Sequence, residues 1–512
     1  MARMNMNSMD TTGTGESKTA GYNHQIPEKL LTPDKVETRI GTLEFFDGLP
    51  SEATVEKVYD NLDLQRGVET FWNGIPAANM QALLAGIVGL GVDSCNTAVI
   101  FDKLMDSGAL FLTGNTDTVY LVGVLDLLRD GPTVVEVPAG CGPGTVDDAY
   151  FRFLVDMGGP GPDQGKGGRY LILPPDYEGD LEGPIGGMEQ EVDGQKYFVA
   201  KSTSYANLVC LRGLLVDGKP DAATAMFKNG LKIYPLAQAG RAPAMDFISG
   251  SGKVFNTIHA NTFEFYEELH RVIEREPVSM LEPELRGLFA AIGIQKGKPF
   301  APDARMKQIL IEAVAIANAT ARALTFRPRM EDAPRYPNSS WLKLIFGGSY
   351  EFLKDGGAGG RNQDARTEYF YVATLNTPAI VRKMIGKGSQ YAFAMSDANG
   401  DYLDGSKTYT LHLPPDVPAA AFWSVVVYDP QTRSQLQTGQ TFPSKNDKRD
   451  KLIQNADGSF DLYFGPASPA GKEANWMQTV PGKAWFACLR LYSPLEPFFD
   501  QTWRPGEIEL VQ

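Results

Sequence analysis

The hydrophobic pattern changes period along the chain. Between residues 51 and 105 it is mostly helical: Val55, Val58, Tyr59 and Leu62 recur at spacings of three and four, and Phe71 and Trp72 follow beyond Gly67. Short apolar runs then alternate with Gly- and Pro-rich turn signals, which predicts five strands at 118–125, 133–138, 150–156, 169–173 and 196–201. Helical spacing returns at 222–233, 257–275, 281–292 and 302–324. Pro277 stops the second of these, and Pro302 opens the fourth at a favourable N-terminal position. Residues 347–362 hold six glycines and read as a joint. Beyond it, runs at 408–413, 421–428, 459–464 and 485–492, bounded by Asn-Gly, Pro-Pro, Asp-Gly and Pro-Gly turns, predict a C-terminal β-sandwich of jelly-roll type.

The expected fold class is therefore α+β and multidomain, with a β-rich N-terminal part containing helical segments and an antiparallel C-terminal sandwich. The expected division is a disordered tail at 1–30, an N-terminal domain at 31–215, a helical segment at 216–346, a Gly-rich joint and connector at 347–390, and the sandwich at 391–512. Composition agrees with many turns: 53 Gly and 34 Pro in 512 residues is about one in six, against about one in eight on average.

Charge and rare residues narrow the function classes. A net charge of −14 argues against nucleic-acid binding, which needs a basic footprint. Four Cys without CxxC spacing exclude a zinc ribbon, and four His make a multi-histidine centre improbable. The longest uncharged stretch, 70–92, contains Pro76, Asn79 and Gln81 and reads as a buried helix, so membrane insertion is not expected. No apolar h-region marks a signal peptide in the first thirty residues, which as the sequence stands points to the cytoplasm. G-x-S-x-G is absent, Gly250-Ser251-Gly252-Lys253 lacks the P-loop spacing, and Ser94 stands where a dinucleotide fingerprint needs its third Gly.

Three segments carry candidate chemistry. Glu267 and His270 form a lone E-x-x-H, half of a di-iron motif. Asp397, Asn399 and Asp401 open like a calcium loop, but Tyr402 replaces the required Gly and an Asn-Gly turn explains the same residues, so no cofactor is expected. The most informative segment runs from Asn115 through Asp117 and Tyr120 to Asp126, placing polar groups where an apolar strand begins. With Asp156, Arg152 and Arg169 on neighbouring strands, Asp117 is a candidate base, Tyr120 a second catalytic candidate, and the others ligand contacts, the arginines as an anion clamp. The structural alternative is that Asn115 and Asp117 close Asx turns and that Arg152 pairs with Asp148 or Asp156.

The phrases GNTDTVYLVGVLDLLRDGPTVVEVPAG, AYFRFLVDMGGPGP and GGRYLILPPDYEGD resemble the family Domain of Unknown Function 1254. AAFWSVVVYDP, NADGSFDLYFGP, NWMQTVPGKAWFACLRLYSP and WRPGEIELV resemble its usual partner, Domain of Unknown Function 1214. The resemblance covers roughly 50–512 and implies the same β-rich ends with helices between. It carries over Asn115, Asp117, Tyr120 and Asp126 in the first part, and Trp423, Tyr428, Asn475, Trp476, Arg490 and Tyr492 in the second. It also implies export, since such proteins typically follow a signal peptide. The functional expectation is binding or carboxylate-dependent hydrolysis of a small polar or sugar-like molecule near the 115–120 turn. The alternative is a non-catalytic structural or interaction protein, and self-association into a homo-oligomer stays open.

Overall fold

A computed structural model describes residues 21–511, so most of the expected 1–30 tail lies outside the described residues. Two compact units meet in sequence at Gln65 and Arg66. The first contains a three-stranded antiparallel sheet, Lys35–Thr38, Gly41–Phe46 and Leu49–Pro50, and the opening turns of the helix Glu52–Gly89. All the segments expected at 216–346, 347–390 and 391–512 fall within the second unit.

In that second unit two sheets face one another in the N-terminal half. The first has the order Asp246–Ser249, Thr97–Ile100, Thr118–Asp126, Ala206–Leu214, Gly144–Asp148, Phe153–Met157. The second has the order Met188–Val192, Gln195–Lys201, Gly168–Leu173, Thr133–Val137, Lys232–Pro235. Val119, Leu121, Val209 and Leu211 from the first share one core with Val135, Tyr170, Ile172 and Ile233 from the second. Strand Thr118–Asp126 is buried along nearly its whole length, so its apolar residues run continuously instead of alternating.

The C-terminal half repeats the principle with different strands. One sheet joins Trp341–Leu342, Ser389–Ala394, Ala484–Pro494, Ala419–Tyr428 and Ser444–Asn446, and the other joins Trp476–Gln478, Phe460–Gly465, Tyr409–Leu413 and Ile508–Leu510. Trp423, Val425, Leu489 and Leu491 pack against Leu411, Leu462 and Phe464 between them.

The helices Glu52–Gly89, Ala304–Phe326 and Gln363–Val372 pack on one another. The helix Ala304–Phe326 lies close against Glu52–Gly89 at Gly67, where a Cβ would come within 2.7 Å of the Ala313 Cβ. Trp72 Nε1 donates to Ala317 O at 3.0 Å across the same contact. By length and composition Ala304–Phe326 is apolar enough to cross a membrane. Leu310, Ala313, Val314, Ala317, Ala321 and Leu324 are buried in the protein. Helix Gln363–Val372, inside the expected connector, is buried from Ala365 to its end.

Several elements differ from the periodic reading. The helix expected at 222–233 is Asp221–Gly230, because Leu231 turns extended and Lys232–Pro235 joins a sheet. The one expected at 257–275 begins only at Glu264. Strands Gly144–Asp148 and Ala206–Leu214 have no counterpart in the expected set.

Candidate functional site

Two strand registers build the site. The pairing of Thr118–Asp126 with Ala206–Leu214 sets Tyr120 opposite Arg212. The pairing of Ser389–Ala394 with Ala484–Pro494 sets Tyr391 opposite Arg490. Residues directly opposite on antiparallel strands point to the same face, so each sheet presents one tyrosine–arginine pair. The two pairs meet: Arg212 Nη1 donates to Tyr391 Oη at 3.2 Å, and the Arg490 guanidinium carbon lies 5.1 Å from the centre of the Tyr391 ring. With Thr145, Asp156, Tyr369 and Thr377 they line a cavity of about 70 Å³.

The charges in this cavity are unbalanced. Arg490 is 4 % exposed. Its Nη2 donates to Tyr428 Oη at 2.7 Å and to Thr113 O, while its Nε has no partner. Among the described residues, no carboxylate forms an ion pair with Arg212 or Arg490. Burial pushes the Tyr391 phenol up, but the guanidinium groups of Arg212 and Arg490 outweigh it and hold the phenol below the ordinary tyrosine range. Burial also lifts Asp156 to about 6, although Thr377 Oγ1 donates to both its oxygens at 2.6 and 2.8 Å. Cys210 reaches the cavity too, with its thiol pushed by burial up to about 12.

Comparison with known proteins finds two family matches along the chain. Residues 95–235 match Protein of unknown function (DUF1254), and residues 388–496 match Protein of unknown function (DUF1214). The two matched regions follow one another in tandem along the chain. No curated protein matches it. Among solved structures, the VPA0106 protein from Vibrio parahaemolyticus is similar in fold, at 17% identity and a TM-score of 0.53, covering 88% of this chain and 100% of that one. An uncharacterized protein from Burkholderia cenocepacia gives 12% identity and a TM-score of 0.39, with 89% of this chain and 96% of that one covered. The DUF1254 region thus supplies Tyr120, Asp156 and Arg212, the DUF1214 region Tyr391 and Arg490, and the stretch between them Tyr369 and Thr377.

The expected site residues divide between this cavity and other places. Asn115 sits under Tyr120: its Nδ2 donates to Tyr120 Oη at 2.8 Å, and its Oδ1 accepts from the backbone N–H groups of Asp117 and Thr118. Tyr120 lines the cavity, and burial raises its phenol to about 12. Asp117 does not line it. Instead it is wholly buried against the DUF1214 region, accepting from Ser424 Oγ at 2.5 Å, Asn446 Nδ2 at 3.1 Å and Tyr492 Oη at 3.4 Å. Its cationic neighbour is Arg449, at 3.8 Å, and not Arg152 or Arg169. As a base Asp117 would need a substrate within reach, and its oxygens are taken up by protein donors.

Arg152 pairs with Asp148 at 2.7 Å, one of the two partners expected for it. Arg169 faces Glu136 at 3.0 Å and Gln195 on the outer side of the second sheet. Asp126 caps a helical turn through Arg129 N and pairs with Arg275 at 3.0 Å. Neither arginine lines the cavity. Asp397 Oδ1 accepts from the backbone N–H groups of Asn399 and Asp401, the turn geometry that needs no ion. His270 Nε2 faces Lys298 O at 2.9 Å, beside an exposed Glu267.

In the DUF1214 region Trp423 and Tyr428 are buried, Trp476 Nε1 donates to Gly465 O, and Asn475 ties Ile453 to Asp461 through backbone groups. Arg212, Tyr391, Tyr369 and Thr377 escaped the sequence reading. For Arg212 there was a signal, a lone cation inside the otherwise apolar ANLVCLRGL.

Proposed function

We propose that the chain binds a small oxyanion, a short carboxylate or an ion of like size, in the cavity shared by its DUF1254 and DUF1214 regions. The observation that carries this reading is the meeting of two guanidinium groups on a cavity lined by a single carboxylate, Asp156, with no ion pair to either among the described residues. An uncompensated buried charge costs several kcal/mol, and Asp156 can offset only one of the two cations, so the cavity calls for a further counter-anion. The arginine fork matches a planar carboxylate, and the hydroxyls of Tyr120, Tyr391 and Thr377 add further hydrogen-bonding groups. The size supports a ligand of only a few heavy atoms: about 70 Å³ is under half of the roughly 150 Å³ that accepts benzene.

Binding is favoured over hydrolysis. No histidine is among the described lining residues, and the Cys210 thiol is held protonated by burial, so the cavity offers neither an imidazole base nor a thiolate. A purely structural role draws its support from Asp117, whose buried hydrogen bonds hold the two regions together without any ligand. Calorimetric titration with acetate, glycolate and phosphate at constant ionic strength, with acetamide as neutral control, separates the two readings. One of the anions is expected to bind and acetamide not, and Arg212→Met is expected to abolish the heat. If no anion binds more tightly than acetamide, the structural reading stands.

A further inference from the structure

A second and larger cavity, about 480 Å³, lies beyond the stretch that carries Thr377. Asn376 lines it while its neighbour Thr377 lines the smaller one, as alternate residues of extended chain do. Part of its wall is apolar: Phe151 and Phe370, stacked at 5.7 Å, with Phe153, Tyr350, Leu281 and Leu285. The polar end is Arg366, on the buried helix Gln363–Val372 and 7 % exposed. Arg366 Nη2 donates to Asn73 Oδ1 and to Gln363 Oε1, its Nε has no partner, and its Nη1 donates to no described residue. Among the described residues no carboxylate pairs with it, and Arg361, also on this groove, carries the same sign. Burial, together with the Arg361 charge, works against the Arg366 cation.

The acids that border the groove do not cure this imbalance. Asp148 is committed to Arg152 at 2.7 Å and to Thr203, and Glu282, Glu284 and Glu351 are exposed residues without an ion pair to Arg366.

We propose that this groove is a second binding site, for a carboxylic acid with an aromatic or alkyl body, the carboxylate on Arg366 and the body against Phe151, Phe153 and Leu285. The volume falls within the roughly 300–1,000 Å³ of ordinary ligand sites, and the apolar part of the wall gives a ligand body a place to pack. A planar carboxylate suits one guanidinium fork, and it supplies the ion-pair partner that Arg366 lacks. This site stands apart from the oxyanion cavity, since neither Arg212 nor Arg490 lines it.

The test is calorimetric titration of the full chain with 4-phenylbutyrate and with 4-phenylbutanol, which share a body and differ in the charged head. The acid is expected to bind roughly tenfold or more tightly than the alcohol, the difference a charge-assisted hydrogen bond makes. Arg366→Gln is expected to erase that preference. Leu285→Trp, which adds bulk to the groove from a half-buried position, is expected to weaken the acid by a similar factor while the protein stays folded. Equal binding of acid and alcohol to the parent overturns the proposal, as does absence of binding by the acid at millimolar concentration. So does undiminished binding by Leu285→Trp, which decides the matter even if Arg366→Gln does not fold.

Discussion

Replacing Asp117 by Asn tests the join between the two families. The side chain keeps its shape and loses its charge in a place with no solvent to compensate. Asn446 can still donate to the remaining oxygen, and the hydroxyls of Ser424 and Tyr492 can reverse to accept from the new amide. What disappears is the charge assistance in these bonds and the attraction to Arg449 at 3.8 Å. Breaking a buried ion pair outright costs roughly 3–5 kcal/mol. Here Arg449 retains Asp450 at 2.8 Å, Thr116 O and Ser444, so the cost falls below that range, to about 2 kcal/mol. Asp117→Ala leaves the donors unanswered and costs about 4 kcal/mol. At roughly 2.1 cal/mol/K per residue, 2 kcal/mol moves the melting temperature of the larger unit by only ~2 °C, which makes the urea midpoint the better measure. A cycle with Ser424→Ala should return a coupling of roughly 0.5 kcal/mol or more. The reasoning is refuted if Asp117→Asn matches the parent within ~0.5 kcal/mol, the scale of a benign surface change. It is equally refuted if stability is kept and acetate binding alone is lost, since that would return Asp117 to the role of ligand contact.

Asp156 supplies a pH test: its folded value of about 6 exceeds the ordinary 3.8, so the folded chain holds the proton more tightly than the unfolded one. The resulting stability is complete below pH 3.8 and lost as pH rises through 6, so Asp156→Asn should gain on the parent by about 3 kcal/mol between pH 3.8 and 7, and a constant difference in urea midpoints would contradict this. Limited trypsin digestion should cut first at the exposed Lys354 in the Gly-rich joint, and the two products should still co-elute on size exclusion because the Asp117 contacts bridge them. First cuts between 133 and 156 would show that the joint is better protected than its exposure suggests.

Strands with continuous apolar runs between turn signals, such as Thr118–Asp126 and Ala484–Pro494, were legible because burial on both faces leaves a local mark. Strand Ala206–Leu214 was not, although it pairs over its whole length, because no Gly-Pro punctuation precedes it and Arg212 interrupts its pattern. The candidate site was legible in part. Tyr120 and Asp156 line the cavity with Arg212 and Arg490, and Asn115 braces Tyr120; Arg152 took Asp148, a partner the sequence offered, whereas Arg169 took Glu136 across a strand pairing that no linear spacing reveals. The cavity depends on which sheets face each other, and that is set by packing between residues hundreds of positions apart.

The link between Asp117 and Ser424 spans 307 residues, and that separation has a temporal side. On a ribosome working at roughly 5–20 residues per second, Asp117 would emerge about 15–60 s before Ser424. During that interval the DUF1254 sheets can close on each other, but the carboxylate destined for the interior has only its neighbour Thr116 and water for company. Nascent chains would therefore pass through a long-lived half-built form with a polar, hydrated face, one less prone to aggregate than a bare apolar surface and shielded only when the last strands are made.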